Sequence, residues 1–247
     1  MTVSTWVSNL WEHHGYNLPK KNDPISIIEG AKQGNRYRCV EYAVVVKGCL
    51  DALNIPARKI GLQTENVETL ISGAGHVVTE AYIKDMGKWV MIDGQWDVIP
   101  VKNNTPLNAV EFGQALYNNP DQLAIYSNSN VRPENYFRWI QPYLYYYHYP
   151  FDNRPIVKRQ FGQKITLIPD GEVKIEKFQH YYNQYVIDYT NSYSDVYPNP
   201  FKNNFSYDAS RKQYIGFLKR NKRNNNLDYD KNYVIKGVEI NGINSDN

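Results

Sequence analysis

The chain has 247 residues, room for one large domain or two small ones with an ample core. Its formal charge of +3 is mild and no basic stripe stands out, so nucleic acid is not indicated as a partner. Two cysteines do not make a secreted disulfide scaffold, and no run of 18 apolar residues could span a membrane.

The segment Met1 to Trp6 lacks the basic and then apolar pattern of a signal peptide. A cytoplasmic location is expected if Met1 is the natural start, and a secreted one if a leader has been removed. Residues 4–16 read as a helix, with Trp6, Val7, Leu10 and Trp11 at helical spacing. His13 and His14 follow at its end. Adjacent residues do not share a helix face, so they read as surface histidines rather than a metal pair. Pro24 to Gly30 reads as a second short helix capped by its glycine.

After the polar loop Gln33 to Arg38, Cys39 opens a nearly continuous apolar run from Val40 to Leu53. Glu41, Lys47 and Asp51 interrupt it at roughly helical spacing, which predicts a buried helix with Cys39 in its first turn. Free N–H groups and the positive end of the helix dipole lie there, and both lower a thiol's pKa. The competing reading of Cys39 is a small core residue. Cys49 follows ten residues on. Within one helix that is about 15 Å of rise, too far for a disulfide, so both thiols are expected free and Cys49 reads as packing. Glu41, an acid in a first turn, reads as structural.

Ile55 to Leu62 reads as a strand, followed by a polar loop from Gln63 to Ser72. Gly75 to Ile83 and Lys88 to Asp93 then read as two strands joined by the turn Asp85-Met86-Gly87, an antiparallel hairpin. If Ile83 pairs with Lys88, Val78 lies opposite Asp93. His76 and Asp93 are then diagonal neighbours on one face, within side-chain reach. Asp97 shares that parity and is a second candidate for the acid.

Arg38-Cys39-Val40-Glu41-Tyr42-Ala43, Leu53-Asn54-Ile55-Pro56-Ala57-Arg58, Gly75 to Tyr82 and Trp89-Val90-Met91-Ile92-Asp93 together resemble the core of the transglutaminase-like superfamily. The first of these motifs is similar to the peptide N-glycanase branch. The resemblance covers about residues 30 to 100. It implies a papain-like architecture in which Cys39 is the nucleophile, His76 the base and Asp93 the group that orients it, with no cofactor. Eukaryotic members of that branch carry a paired-cysteine zinc site, which two cysteines cannot supply. Gln33, six residues before Cys39, resembles the oxyanion glutamine of papain-like proteases, and Tyr37 is the rival donor.

Residues 101–135 are polar and loop-rich, with a helix predicted from Asn108 to Tyr117. The aromatic run Tyr136 to Tyr149 reads as packing, with sugar or peptide stacking as the alternative. His148 is an understudy for the base. Beyond Phe151, Ile165 to Ile168, Gln184 to Tyr189 and Tyr233 to Ile240 read as strands, and Asn221 to Asn226 as a solvated loop. The expected fold is α+β: a catalytic core over residues 1–150, in which a nucleophile helix packs on an antiparallel sheet, and a β-rich extension over 151–247 packed against it. The expected activity is acyl transfer from an amide through a thioester, on a protein, peptide or glycopeptide. The alternative is a catalytically silent module that holds peptide or glycan through the tyrosine-rich half.

Overall fold

The computed structural model describes residues 2–67, 69–150, 164–170, 186–191, 193–197 and 216–219. It divides into two compact units. One holds the chain to Glu65 and Ile71–Tyr147, and the other holds Asn66–Leu70 and the chain from His148 on.

The first unit opens with helix α1, Thr2–Ser8, which stops well short of the predicted residue 16. Side chains end it: Ser8 Oγ and Asn9 Nδ2 both donate to the Thr5 carbonyl, at 2.9 and 2.7 Å. They take up a carbonyl that the next turn of helix would have used. Helix α2, Pro24–Lys32, starts on Asp23, whose carboxylate accepts from the Ser26 N–H at 2.9 Å. It runs two residues past the predicted Gly30. The residue that ends it is Gly34, left-handed at φ 87°, with the Asn35 and Gly34 N–H groups bonded back to Gly30 and Ala31. Gly30 has a packing role instead: a Cβ there would lie 2.0 Å from the Tyr37 hydroxyl.

Helix α3, Cys39–Ala52, is the predicted nucleophile helix, with Cys39 as its first residue. Glu41 is structural, as expected. Its buried carboxylate accepts from the N–H, Nε and Nη2 of Arg38, the residue that caps the helix, at 3.0, 3.2 and 2.7 Å. At the far end Asn54, at φ 58°, supplies the left-handed residue that closes the last turn. Tyr42, Val44, Val45, Val46 and Leu50 are buried in a core shared with Val7, Trp11 and Ile27. Each such aliphatic side chain contributes roughly 1.5–3 kcal/mol by leaving water.

Strands β1, Ala57–Gln63, β2, Gly75–Ile83, and β3, Lys88–Ile92, form an antiparallel sheet with β2 in the middle. Ile83 pairs with Lys88 and Thr79 with Ile92, the register expected from the turn. Gly87, at φ 62°, makes that turn. Helix α3 lies on one face, where Thr79 Oγ1 donates to the Ala43 carbonyl at 3.2 Å. A Cβ on Gly94, just past β3, would come 2.6 Å from Val46 Cγ2, so the helix packs where glycine leaves room. Arg58 and Glu80 pair across β1 and β2, both fully buried, at 2.7 Å, with the guanidinium 4.2 Å from the centre of the Trp89 ring. The other carboxylate oxygen of Glu80 accepts from the Ala109 N–H at 2.9 Å and so anchors the next helix.

Strands β4, Ile99–Lys102, and β5, Thr105–Pro106, lead to helix α4, Ala109–Asn118, close to the predicted bounds and capped by Asn108 with Glu111. Strand β6, Leu123–Tyr126, returns beside β4 to form a small antiparallel sheet where only loop was expected. The aromatic run divides. Its first part forms helix α5, Pro133–Ile140, with a following 3-10 turn, Gln141–Tyr143, and its last part forms strand β7, Tyr146–Pro150.

In the second unit, the described residues form strands β8, Lys164–Leu167, β9, Val186–Thr190, and β10, Gly216–Lys219, with one helical turn, α6, Tyr193–Val196. β8 and β9 run parallel and β9 and β10 antiparallel. The predicted strands over 165–168 and 184–189 are present, give or take two residues. Those over Tyr233 to Ile240, and the loop Asn221 to Asn226, lie outside the described residues. The α+β expectation holds: a helix headed by Cys39 packs on an antiparallel sheet that carries His76 and leads into Asp93. Among the described residues no helix is long and apolar enough to cross a membrane.

Candidate active site

His76 is the second residue of β2, and Asp93 directly follows β3. The register gives both the same strand parity, so their side chains emerge on one face of the sheet. There His76 Nε2 meets Asp93 Oδ2 at 2.8 Å, with both side chains buried. Asp93 is held on every side. Its Oδ1 accepts from the backbone N–H of Gln95 and Trp96 at 3.0 and 3.3 Å, and its Oδ2 also accepts from the Tyr136 hydroxyl at 3.0 Å. Burial, and then the Asp93 charge, hold the Tyr136 phenol well above its usual range, so it stays a neutral donor.

Asp93 occupies Nε2, which leaves Nδ1 as the ring nitrogen open to Cys39, and the two side chains lie close enough to shift each other's titration. Burial pushes the Cys39 thiol up, but hydrogen bonds from His13 and His76, the His76 charge and the Val77 N–H outweigh it. The thiol comes down to about 6. Burial pushes His76 down, and the Asp93 charge and hydrogen bond, with Cys39 behind them, raise it above the ordinary imidazole range. The opposite directions describe a thiolate and an imidazolium at rest. Both cysteines are free, as expected. Burial alone moves Cys49, and it moves it up.

An aromatic wall closes over the imidazole. Trp139 stands edge-on to His76 at 4.8 Å, Tyr143 lies 6.2 Å from it, and Trp96 packs on Trp139 at 5.0 Å. The expectation that the aromatic run serves packing therefore covers Tyr136 and Ile140, which are buried. Trp139 and Tyr143 from the same run border the site itself.

The remaining candidates lie elsewhere. Asp97, the second-choice acid, is buried but accepts from Thr5 Oγ1, the Asn128 N–H and Ser129 Oγ at 3.1, 3.1 and 2.9 Å. At φ 54° it is the last residue of the turn 94–97 that breaks the strand, so the parity that seemed to align it with His76 no longer applies. Gln33 is exposed at the end of α2. Tyr37 is buried edge-on to Trp11, with its hydroxyl against Gly30. An oxyanion donor meets the substrate oxygen rather than the sulfur, so these positions leave both residues as candidates. His148 is buried in β7, in the second unit.

Two residues at the site escaped the sequence reading. Tyr136 reaches Asp93 across 43 residues, and no local pattern announces that contact. His13, read as a surface histidine, is exposed and yet helps to lower the Cys39 thiol.

Residues 1–94 match the model of the transglutaminase-like superfamily, so the resemblance seen in the motifs holds over that stretch. No curated protein sequence matches the chain. Among solved structures, the chain is similar to one described as a candidate cysteine protease from Cytophaga hutchinsonii, at 19% identity and a TM-score of 0.31. That match covers 51% of this chain and 39% of the other.

Proposed function

We propose that the chain is a cysteine-dependent acyl-transfer enzyme that cleaves an amide bond through a thioester, with Cys39 as nucleophile, His76 as acid and base, and Asp93 orienting His76. The observation that carries this reading is the buried His76 ring bonded to the fully satisfied Asp93 carboxylate, close enough to Cys39 for its charge to lower the thiol. A buried network of this kind fixes the ring's orientation and leaves one nitrogen for chemistry.

The steps follow from that geometry. The thiolate attacks the amide carbon, an S–C bond forms, and the carbonyl electron pair moves to oxygen. The Cys39 N–H, at the first position of α3, has no intrahelical partner and is the natural donor to that oxyanion. As the tetrahedral species collapses, the C–N bond breaks and His76 gives its Nδ1 proton to the departing amine. His76, now neutral, then accepts a proton from the second nucleophile, which frees the acyl group from sulfur. With water the enzyme is a hydrolase, and with a primary amine a transferase. Residues 1–150 are the catalytic core in this proposal, and 151–247 an appended β-rich extension.

The test is to incubate the protein with glutamine peptides, cell-wall peptides and glycopeptides, with and without a primary amine. Mass spectrometry then follows both the products and acylated Cys39. Product containing the added amine means transferase, and product with water alone means hydrolase. Turnover that survives Cys39→Ala contradicts the proposal.

A further inference from the structure

One of the groups that hold Asp93 comes from outside the stretch that matches the superfamily. The match ends at residue 94, and Tyr136 stands on α5. The two oxygens of Asp93 are used differently. Oδ1 accepts from the Gln95 and Trp96 N–H groups at 3.0 and 3.3 Å, so the turn after β3 fixes it. Oδ2 faces the chemistry. It meets His76 Nε2 at 2.8 Å and accepts from the Tyr136 hydroxyl at 3.0 Å. His76 is the group that has to be oriented, so it cannot also be the group that fixes Oδ2. Tyr136 is the other partner of that oxygen.

Tyr136 is itself built in. Its side chain is fully buried. Its ring stacks on Phe112 of α4 at 6.2 Å and 13°, and Trp96 stands edge-on to it at 5.9 Å. Helix α4 is pinned in turn. The N–H of its first residue, Ala109, donates to Glu80 Oε1 at 2.9 Å, and Glu80 pairs with Arg58 inside the sheet. Glu80 and His76 stand on the same strand, β2. The contacts therefore close a loop: from β2 through Glu80, α4 and Phe112 to Tyr136, and from Tyr136 through Asp93 to His76 on β2. A loop of buried contacts holds the hydroxyl at a set place relative to the imidazole.

We infer that Tyr136 is a positioning residue of the acyl-transfer site: its hydroxyl fixes Oδ2 of Asp93, and Asp93 so fixed holds His76 in line to take a proton from the second nucleophile. The inference rests on the acyl-transfer reading and extends the site to α5, beyond the matched stretch. It also says which half of the reaction depends on Tyr136. A thiolate that attacks an activated ester needs no proton transfer, whereas release of the acyl group needs His76 as base.

The probe is p-nitrophenyl acetate, with the full chain carrying Cys49→Ser as parent and Cys39→Ala as blank. The thiolate attacks the ester carbon, a C–S bond forms and p-nitrophenolate leaves, seen as a burst of absorbance. His76, neutral once its proton has gone to solvent, then takes a proton from water as the water oxygen attacks the thioester carbon. The C–S bond breaks, acetate leaves and the thiolate returns, read as the steady rate. Tyr136→Phe is expected to leave the burst within a factor of about two and to slow the steady rate about ten-fold, the measure of one buried hydrogen bond. In an Asp93→Asn background the same substitution is expected to change neither, because the group through which Tyr136 acts is gone. A Tyr136→Phe steady rate equal to the parent's overturns the role of Tyr136 and leaves the acyl-transfer reading intact. Equal slowing of burst and steady rate, or the same loss repeated in the Asp93→Asn background, makes Tyr136 a prop for the fold and likewise overturns its role alone. A parent with no burst above the Cys39→Ala blank overturns the acyl-transfer reading and the proposal together.

Discussion

The two ends of helix α3 carry the same chemical group in different circumstances. Cys39 and Cys49 are both free and both half-buried. Burial opposes the charged form of each, and at Cys49 it acts alone and raises the thiol. At Cys39 the same penalty is present and is overcome by two imidazoles and a backbone N–H. What sets the two thiols apart is therefore neither exposure nor residue type. It is the company that a helix N-terminus keeps beside the end of a sheet strand.

The largest effect that can test this contrast is removal of each sulfur in turn. Cys39→Ala is expected to take turnover to background, because the other members of such a site cannot act without the nucleophile. Cys49→Ala is expected to leave turnover within a factor of about two, at a cost in stability set by a small core cavity. Equal losses would erase the distinction. A second pair sharpens it. Asp93→Asn keeps the shape of the side chain but turns a donor toward His76, and is expected to lower kcat by about 10⁴. Asp97→Ala is expected to leave the folded enzyme active. It strands three donors, so it should lower stability by about 1–3 kcal/mol in denaturant titration.

The hairpin was legible in the sequence because its determinants are local. Asp85-Met86-Gly87 makes the turn, Ile83 and Lys88 flank it, and strand alternation then carries the register to His76 and Asp93. The start of α3 was legible for the same reason. Strand parity did not carry to Asp97, because the turn 94–97, which Asp97 closes at positive φ, had already ended the strand. α1 was overextended because apolar spacing does not register side chains that capture a helix carbonyl. Arg58 and Glu80 each look out of place in an apolar strand, and only their pairing explains both. His13 and Tyr136 depend on contacts between distant stretches. Spacing alone could not place Trp11 against Tyr42 or Tyr136 against Asp93.

Smaller effects test the supports around the sulfur. Tyr136→Phe removes one of two donors to Asp93 Oδ2 and leaves the ring packing in place. It is expected to lower kcat about ten-fold with KM little changed, the measure of one neutral hydrogen bond in a buried network. Steady-state kinetics on the folded variant reads it, and a change in KM alone would assign Tyr136 to substrate contact. Glu41→Ala removes the acceptor that caps α3. It should cost about 1 kcal/mol of stability, read by thermal or denaturant unfolding, while Cys39 stays the faster thiol.

The central claim is that Cys39 rests as a thiolate paired with the His76 imidazolium. A depressed thiol pKa means that the reactive form is present at neutral pH and is lost as pH falls through the folded value. A raised imidazole pKa means that the acid needed by the leaving amine is lost only as pH rises into the alkaline range. The most direct measurement is ultraviolet titration of thiolate absorbance in the Cys49→Ser protein, with Cys39→Ala as blank. An inflection at about 6, which moves up toward the ordinary range in His76→Ala, is the result expected. An inflection near the ordinary cysteine value of about 8.5, unmoved by loss of His76, would contradict the account.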